Sequence, residues 1–337
     1  MNGVKHDLPP LSSNYSNCWN GIPNCWRKYK RWGEVTNGKL GAEEEIMVED
    51  WLANAYEGMS RRQFLARMSA VGFGLAGFAL AADPVEGEII TTPSRGLAVK
   101  EGEVALGDFK IPIYEAHPEA PGKYPIILVL PEIFGMHAHI KDVTRRFARE
   151  GFLGITFEPY AREGGVAHLP DIASVREVAD RVPDGRVLED LDALVAYARR
   201  HPAGQRDRIG VTGFCRGGMY TLLLAAHRRD LQAAVAWYGQ IRPALTPGVR
   251  SAGPLDLAGR IQIPVLGLYG EADLGIPAAH VRELESALKA NGQTAEFVLY
   301  PGAPHAFFAD YRPSYRAENA ADAWRRCLAW FNKYLKA

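Results

Sequence analysis

Cysteine is scarce in this chain. Only Cys18, Cys25, Cys215 and Cys327 occur in 337 residues, too few to staple a protein of this length as a disulfide framework. Cys18 and Cys25 have no accompanying histidine pair, and their spacing fits no zinc pattern. Long basic blocks are absent and the formal net charge is zero, so nothing points to a nucleic-acid partner. No internal repeat is visible. The 34 glycines and 22 prolines are scattered across loops rather than gathered in low-complexity tracts. No apolar run reaches the ~20 residues that span a bilayer comfortably. What remains is a chain with 47% hydrophobic residues. That is ample for a sizeable core, in one large α/β domain with an added segment or in two domains.

The first part of the chain reads as something other than the catalytic fold. Residues 1–58 form an N-terminal extension expected to be poorly ordered, although "EEEIMVEDWLANAYEG" has the character of an amphipathic helix. Residues 59–82 have the order of a twin-arginine export signal: Arg61 and Arg62 in "SRRQFL", an apolar run from Met68, and a small-residue "ALA" at Ala79–Ala81. The competing reading of that run is a buried helix. A leader normally begins near its basic region, so Met47 and Met59 are alternative starts. The expectation is a periplasmic or secreted protein delivered by the twin-arginine export machinery, or a cytoplasmic one if the leader does not function. Residues 83–101 read as a linker and 102–337 as the α/β domain.

From Gly102 onward, strand and helix signals alternate. "EGEVALGDFKIPIYEAH" alternates in polarity and turns at Gly107-Asp108, which predicts a hairpin. "YPIILVLPE" is the continuous apolar run of a strand buried on both faces. A helix around "HIKDVTRRFAREG", strand "FLGITFEPY", helix "DGRVLEDLDALVAYARRH" and strand "RIGVTGF" follow. Next come helix "GGMYTLLLAAHRR", strands "AAVAWYG" and "PVLGLYG", helix "AAHVRELESALKANG", strand "AEFVLY" and helix "RAENAADAWRRCLAWFNKYL". This alternation predicts a doubly wound, mostly parallel sheet with helices on both faces and ligands at the carboxyl ends of the strands. Cys327, in the last helix, reads as a core residue.

The chemistry gathers at those strand ends. Gly213-Phe214-Cys215-Arg216-Gly217 fits G-x-nucleophile-x-G, a sharp turn between strand and helix. There the helix amino terminus favours a thiolate, and the Arg216 backbone N–H faces a developing oxyanion. The bland alternative is a structural cysteine whose glycines serve packing alone. Two later loops weigh against it. "YGEADLGIP" offers Asp273, with Glu271 as a rival, and "YPGAPHAFF" offers His305. Cys, Asp and His thus fall in the chain order of an α/β-hydrolase triad, although each of the latter two alone would be an ordinary loop residue.

"PEIFGMHAHI", "EPYAREGG", "GFCRGG", "GEAD" and "PHAFF", in this order from about Gly102 to the C-terminus, resemble the dienelactone hydrolase family of α/β-hydrolases. The resemblance implies hydrolysis of a small-molecule lactone or ester through Cys215, His305 and Asp273, without a cofactor. It also implies that Glu132 holds the resting thiol and helps activate it when substrate arrives. Ile133 would supply the second oxyanion N–H, and Arg162 would bind a substrate carboxylate. One departure stands out. The family's founding members carry another carboxylate-binding arginine four positions after the triad histidine, where this chain has Ala309. Arg312, Tyr311 and Tyr315 are the nearby residues expected to compensate.

Three other readings compete. His137 and His139 in "HAHIKD" form an H-x-H pair of the kind found in metal-dependent hydrolases, but no third histidine accompanies it. A catalytically silent binding protein on the same scaffold is a second alternative. Thiol peroxide chemistry at Cys215 is a third, without an evident resolving cysteine.

Overall fold

The computed structural model of the protein describes residues 89–336 apart from residue 108. The expected export leader, the N-terminal extension, Cys18, Cys25 and residues 83–88 of the expected linker lie outside the described residues; the rest of that linker is described, and from Leu97 it opens the first strand instead of remaining a connection.

Eight strands form one sheet: β1 (Leu97–Leu106), β2 (Phe109–Pro118), β3 (Tyr124–Leu130), β4 (Leu153–Phe157), β5 (Gly204–Phe214), β6 (Ala233–Trp237), β7 (Val265–Gly270) and β8 (Ala295–Tyr300). Their spatial order is β1-β2-β4-β3-β5-β6-β7-β8. The predicted hairpin is present, with Leu106 paired to Phe109. β2 also runs antiparallel to β4, and every pairing from β4 through β8 is parallel. β4, β6 and β7 are buried along their whole length and β3 along all but Tyr124. Their near-continuous apolar sequences follow from having both faces covered.

Among the described residues there are six α-helices: α1 (Ala138–Arg149), α2 (Ile172–Ala179), α3 (Asp184–Arg200), α4 (Arg216–His227), α5 (Ala278–Ala290) and α6 (Ala317–Leu335). α1 and α6 meet through Phe147, whose ring lies 4.6 Å from Trp324 and 6.0 Å from Phe331. Cys327 of α6 is fully buried, as its apolar setting predicts.

Two boundaries differ from the expectation. β4 stops at Phe157, because the chain turns toward Pro159 and the Glu158 carboxylate accepts hydrogen bonds from the Met136 and Tyr160 N–H groups. β5 begins at Gly204 rather than Arg208, because Gly204 pairs with Tyr124 across an irregularity in the ladder. A polar stretch carries no periodicity that would announce such pairing. From β3 the chain crosses to β4 on one side and then to β5 on the other. The carboxyl ends of β3 and β5 therefore flank the point where the winding reverses, and a crevice opens there.

Candidate active site

Five strand ends supply the side chains: β3 leads to Glu132, β5 to Cys215, β6 to Tyr238, β7 to Asp273 and β8 to His305. Cys215 caps α4 with φ 54° and ψ −114°, a left-handed conformation costly for a residue with a Cβ. The flanking glycines make the turn possible. A Cβ on Gly213 would stand 2.3 Å from the Gly217 carbonyl oxygen, and one on Gly217 would stand 2.3 Å from that of Leu130. Tyr238 and Ala306 are the other two non-glycine residues with positive φ among those described. Both adjoin His305, one through its ring 5.2 Å away and one through the chain. Strain in this domain is thus concentrated around one imidazole.

His305 joins the other two predicted residues. Its Nδ1–H donates to Asp273 Oδ2 at 2.7 Å, and Nε2 lies 3.2 Å from Cys215 Sγ. Asp273 is itself fixed, since Oδ1 accepts the backbone N–H groups of Gly275 at 2.9 Å and Ile276 at 3.2 Å. The rival Glu271 instead faces Arg282 in solvent, 3.8 Å away. Burial opposes charge on the half-buried Cys215 thiol. The His305 charge and hydrogen bond overcome that penalty and draw its pKa below the ordinary thiol value, Glu132 working against them and Arg312 with them. Burial likewise opposes a charged His305. The facing thiolate and the Asp273 hydrogen bond raise its pKa to about 10. The arrangement therefore favours a thiolate–imidazolium pair.

The backbone N–H groups of Ile133 and Arg216 have no hydrogen-bond partner among the described residues, leaving both available to an oxyanion at the β3–β5 crevice. The Arg216 side chain is committed elsewhere, in an ion pair with Asp180 at the end of α2. That contact ties the "HLPDIASVREVADRVPDGR" segment to the elbow.

Three residues stand differently from the expectation: Glu132 and Arg162 from what the family resemblance implies, and Tyr311 from its suggested part in compensating for Ala309. Glu132 does not hold the thiol. Its Oε2 accepts the Tyr311 hydroxyl at 2.6 Å and lies 3.2 Å from His137 Nε2. Burial works against its charge, but the His137 hydrogen bond and the fields of His137, His139 and Arg312 bring the carboxyl down to about 2. Arg162 is engaged by a protein carboxylate, with Nη1 donating to both Asp190 oxygens at 2.7 and 2.8 Å and the guanidinium 4.4 Å from the Phe109 ring. Tyr311 is fully buried on Glu132 and does not line the crevice. Arg312 lies 5.6 Å over the Phe134 ring, close enough for its charge to act on Cys215 and Glu132.

His137 and His139 serve two different carboxylates: His139 Nδ1 is 3.2 Å from Asp310 Oδ1, while His137 faces Glu132. Sequence reasoning missed Glu158. It is buried, with a carboxyl raised by burial, and it binds the loop after β3 to the loop after β4. Gly135 is the only local signal, because its φ is +72° and a Cβ there would stand 2.4 Å from Glu158 Oε2.

A mostly parallel sheet with an elbow after β5 and an acid and a histidine after β7 and β8 defines an α/β-hydrolase fold. Residues 111–335 match the model of the "Dienelactone hydrolase family", and the chain belongs to that family; by membership it is an ester or lactone hydrolase. It is 47% identical over 276 residues to a Methylorubrum extorquens protein named "Putative carboxymethylenebutenolidase", covering 80% of this chain and 94% of that one. An Escherichia coli K12 protein of the same name is 42% identical, covering 77% and 96%. Among solved structures, the "Putative Dienelactone Hydrolase" of Klebsiella pneumoniae superposes with a TM-score of 0.68 at 44% identity, covering 71% of this chain and 99% of that one.

Proposed function

We propose that the chain cleaves a small-molecule carboxylic ester or lactone by nucleophilic attack of Cys215. The single observation that carries this reading is the His305 imidazole set between Cys215 Sγ and Asp273 Oδ2. The thiolate adds to the carbonyl carbon, and the resulting oxyanion is received by the N–H groups of Ile133 and Arg216. The tetrahedral intermediate collapses as the imidazolium gives its proton to the leaving alkoxide, which yields a thioester and an alcohol, or a tethered alcohol from a lactone. His305 then takes a proton from water, the hydroxide displaces the sulfur, and a carboxylic acid leaves with the thiolate restored. Asp273 keeps the imidazole in the tautomer that presents Nε2 to the sulfur. Each oxyanion donor is worth about 3 kcal/mol in sites of this kind.

Cys215→Ala is expected to abolish turnover of a chromogenic short-chain ester with an unchanged thermal melt; retained turnover would refute the assignment. Cys215→Ser is expected to be poor, because a hydroxyl is a far weaker acid than the thiol this imidazole faces.

Arg61 and Arg62 support a companion proposal, that the enzyme leaves the cytoplasm through the twin-arginine route. Cell fractionation of the full chain and of its Arg61→Lys/Arg62→Lys variant tests it. Export that survives the double substitution rules the route out.

A further inference from the structure

We propose that Tyr311 and His137 are positioning residues that keep Glu132 off the Cys215 sulfur, so that ionisation of the thiol is set by the protein's own groups and does not wait for a substrate. The proposal rests on the reading of Cys215 as nucleophile and adds to it how that nucleophile is kept charged.

The geometry is specific. Both contacts fall on the same carboxylate oxygen, Oε2, at 2.6 Å from the Tyr311 hydroxyl and 3.2 Å from His137 Nε2. Oε1 has no hydrogen-bond partner among the described residues, so the orientation of the carboxylate rests on Oε2. Glu132 is 1% exposed and Tyr311 is fully buried, and a hydrogen bond broken in such surroundings is not replaced by water. The holders are themselves held. The Tyr311 ring lies 5.5 Å from that of His137 and 5.1 Å from that of His139, and the two imidazoles stack at 6.1 Å. His139 faces Asp310 at 3.2 Å, and Arg146 of α1 donates to the other Asp310 oxygen at 2.6 Å. One unbroken buried chain thus connects α1 with the loop after β8. The H-x-H pair that suggested a metal site in the sequence has a use here without one.

The electrostatic consequence follows from who faces whom. Glu132 faces His137 and His139 from the start of α1, Tyr311 and Arg312 from the loop after β8, and Tyr238 and Cys215 from the ends of β6 and β5. Cys215 faces His305, Glu132, Arg312, Tyr160 and Tyr238. A carboxylate released toward the sulfur would accept the S–H and repel a thiolate. Tied back by Tyr311 and His137, it leaves His305 and Arg312 to decide the charge. Ala309, where a guanidinium would otherwise stand, is fully buried, and its neighbours Asp310 and Tyr311 carry the chain of contacts instead.

The test measures thiolate ultraviolet absorbance against pH, without substrate, as the difference between each protein and the same protein bearing Cys215→Ala. Tyr311→Phe deletes only the hydroxyl. It is expected to raise the thiol midpoint by about one pH unit, a roughly tenfold smaller thiolate fraction at a pH well below both midpoints. The shift is expected to vanish when Glu132→Gln is combined with it, which a general loosening of the fold would not produce. An unchanged midpoint in Tyr311→Phe, or an equal shift with and without the Glu132 carboxylate, overturns the proposal. His137→Phe keeps an aromatic side chain and removes both ring nitrogens. If Tyr311→Phe does not fold, a raised midpoint in His137→Phe supports the proposal and an unchanged one overturns it. Failure of the nucleophile reading looks different, because ester turnover would then survive Cys215→Ala whatever the midpoints do.

Discussion

Two arginines show how one residue type is given different tasks by its neighbours. Arg162 spends its charge on Asp190, a buried carboxylate whose pKa burial raises even with the guanidinium attached. Arg312 lies over Phe134, with its charge felt at the Cys215 sulfur. The two are not interchangeable as anchors for an acidic substrate. The charge of Arg312 reaches the Cys215 sulfur, and Arg162 already has an anion. Arg312→Ala is therefore expected to raise KM for an ester carrying a carboxylate by roughly tenfold or more, the scale of one lost charge-assisted hydrogen bond, and to raise it much less for a neutral ester of similar size. Equal KM changes for both exclude a carboxylate role. The three candidate residues Cys215, Asp273 and His305 were legible because each follows its own strand in a recognised order. Their supports were not. Tyr311 meets Glu132 across 179 positions and Arg162 meets Asp190 across 28, and no periodicity or spacing rule joins residues brought together only by packing.

At the scale of elements, the elbow between β5 and α4 was readable for a steric reason that a short motif can express. Gly213 and Gly217 each leave no room for a methyl group beside a backbone carbonyl, so the glycines and the position of Cys215 between them come as a unit. The buried strands were equally plain, since both faces of β3, β4, β6 and β7 demand apolar side chains. Strand order was not readable in the same way. β4 lies between β2 and β3, and nothing in the composition of any of the three strands encodes which neighbour it takes. Helix ends were legible where a breaker intervenes, as at Gly151 beyond α1, and less so at α4. That helix closes at His227, before the two arginines that continue its pattern. α1 gains its functional weight from residues that look merely solvating in sequence. Asp142 and Arg146 pair at 2.6 Å, and Arg146 reaches on to Asp310, so a charged helix face is turned inward against the loop that carries Tyr311.

Across the whole molecule, that inward-facing charge links stability to acidity. Glu132 is held down at about 2 and Asp310 lower still by Arg146 and His139 against the burial that would raise it. A carboxylate whose folded pKa lies below its unfolded one stabilises the fold above the unfolded value, and that contribution drains away as pH falls toward the folded value. His137 acts in the same sense, because burial lowers its pKa and the unfolded chain takes up its proton first. For Glu132, with an ordinary value of 4.5 and a folded value of about 2, the loss opens near pH 4.5. It reaches on the order of 2 kcal/mol by pH 3, since each pH unit in that window costs about 1.4 kcal/mol. Urea unfolding of the protein and of Glu132→Gln, each at pH 6 and pH 3, isolates the contribution. The unsubstituted protein is expected to lose about 2 kcal/mol more over that interval than the variant, which has no carboxylate to titrate. Equal losses would mean that Glu132 is protonated in the folded protein well above pH 3, and that the contacts on its Oε2 do not hold it charged.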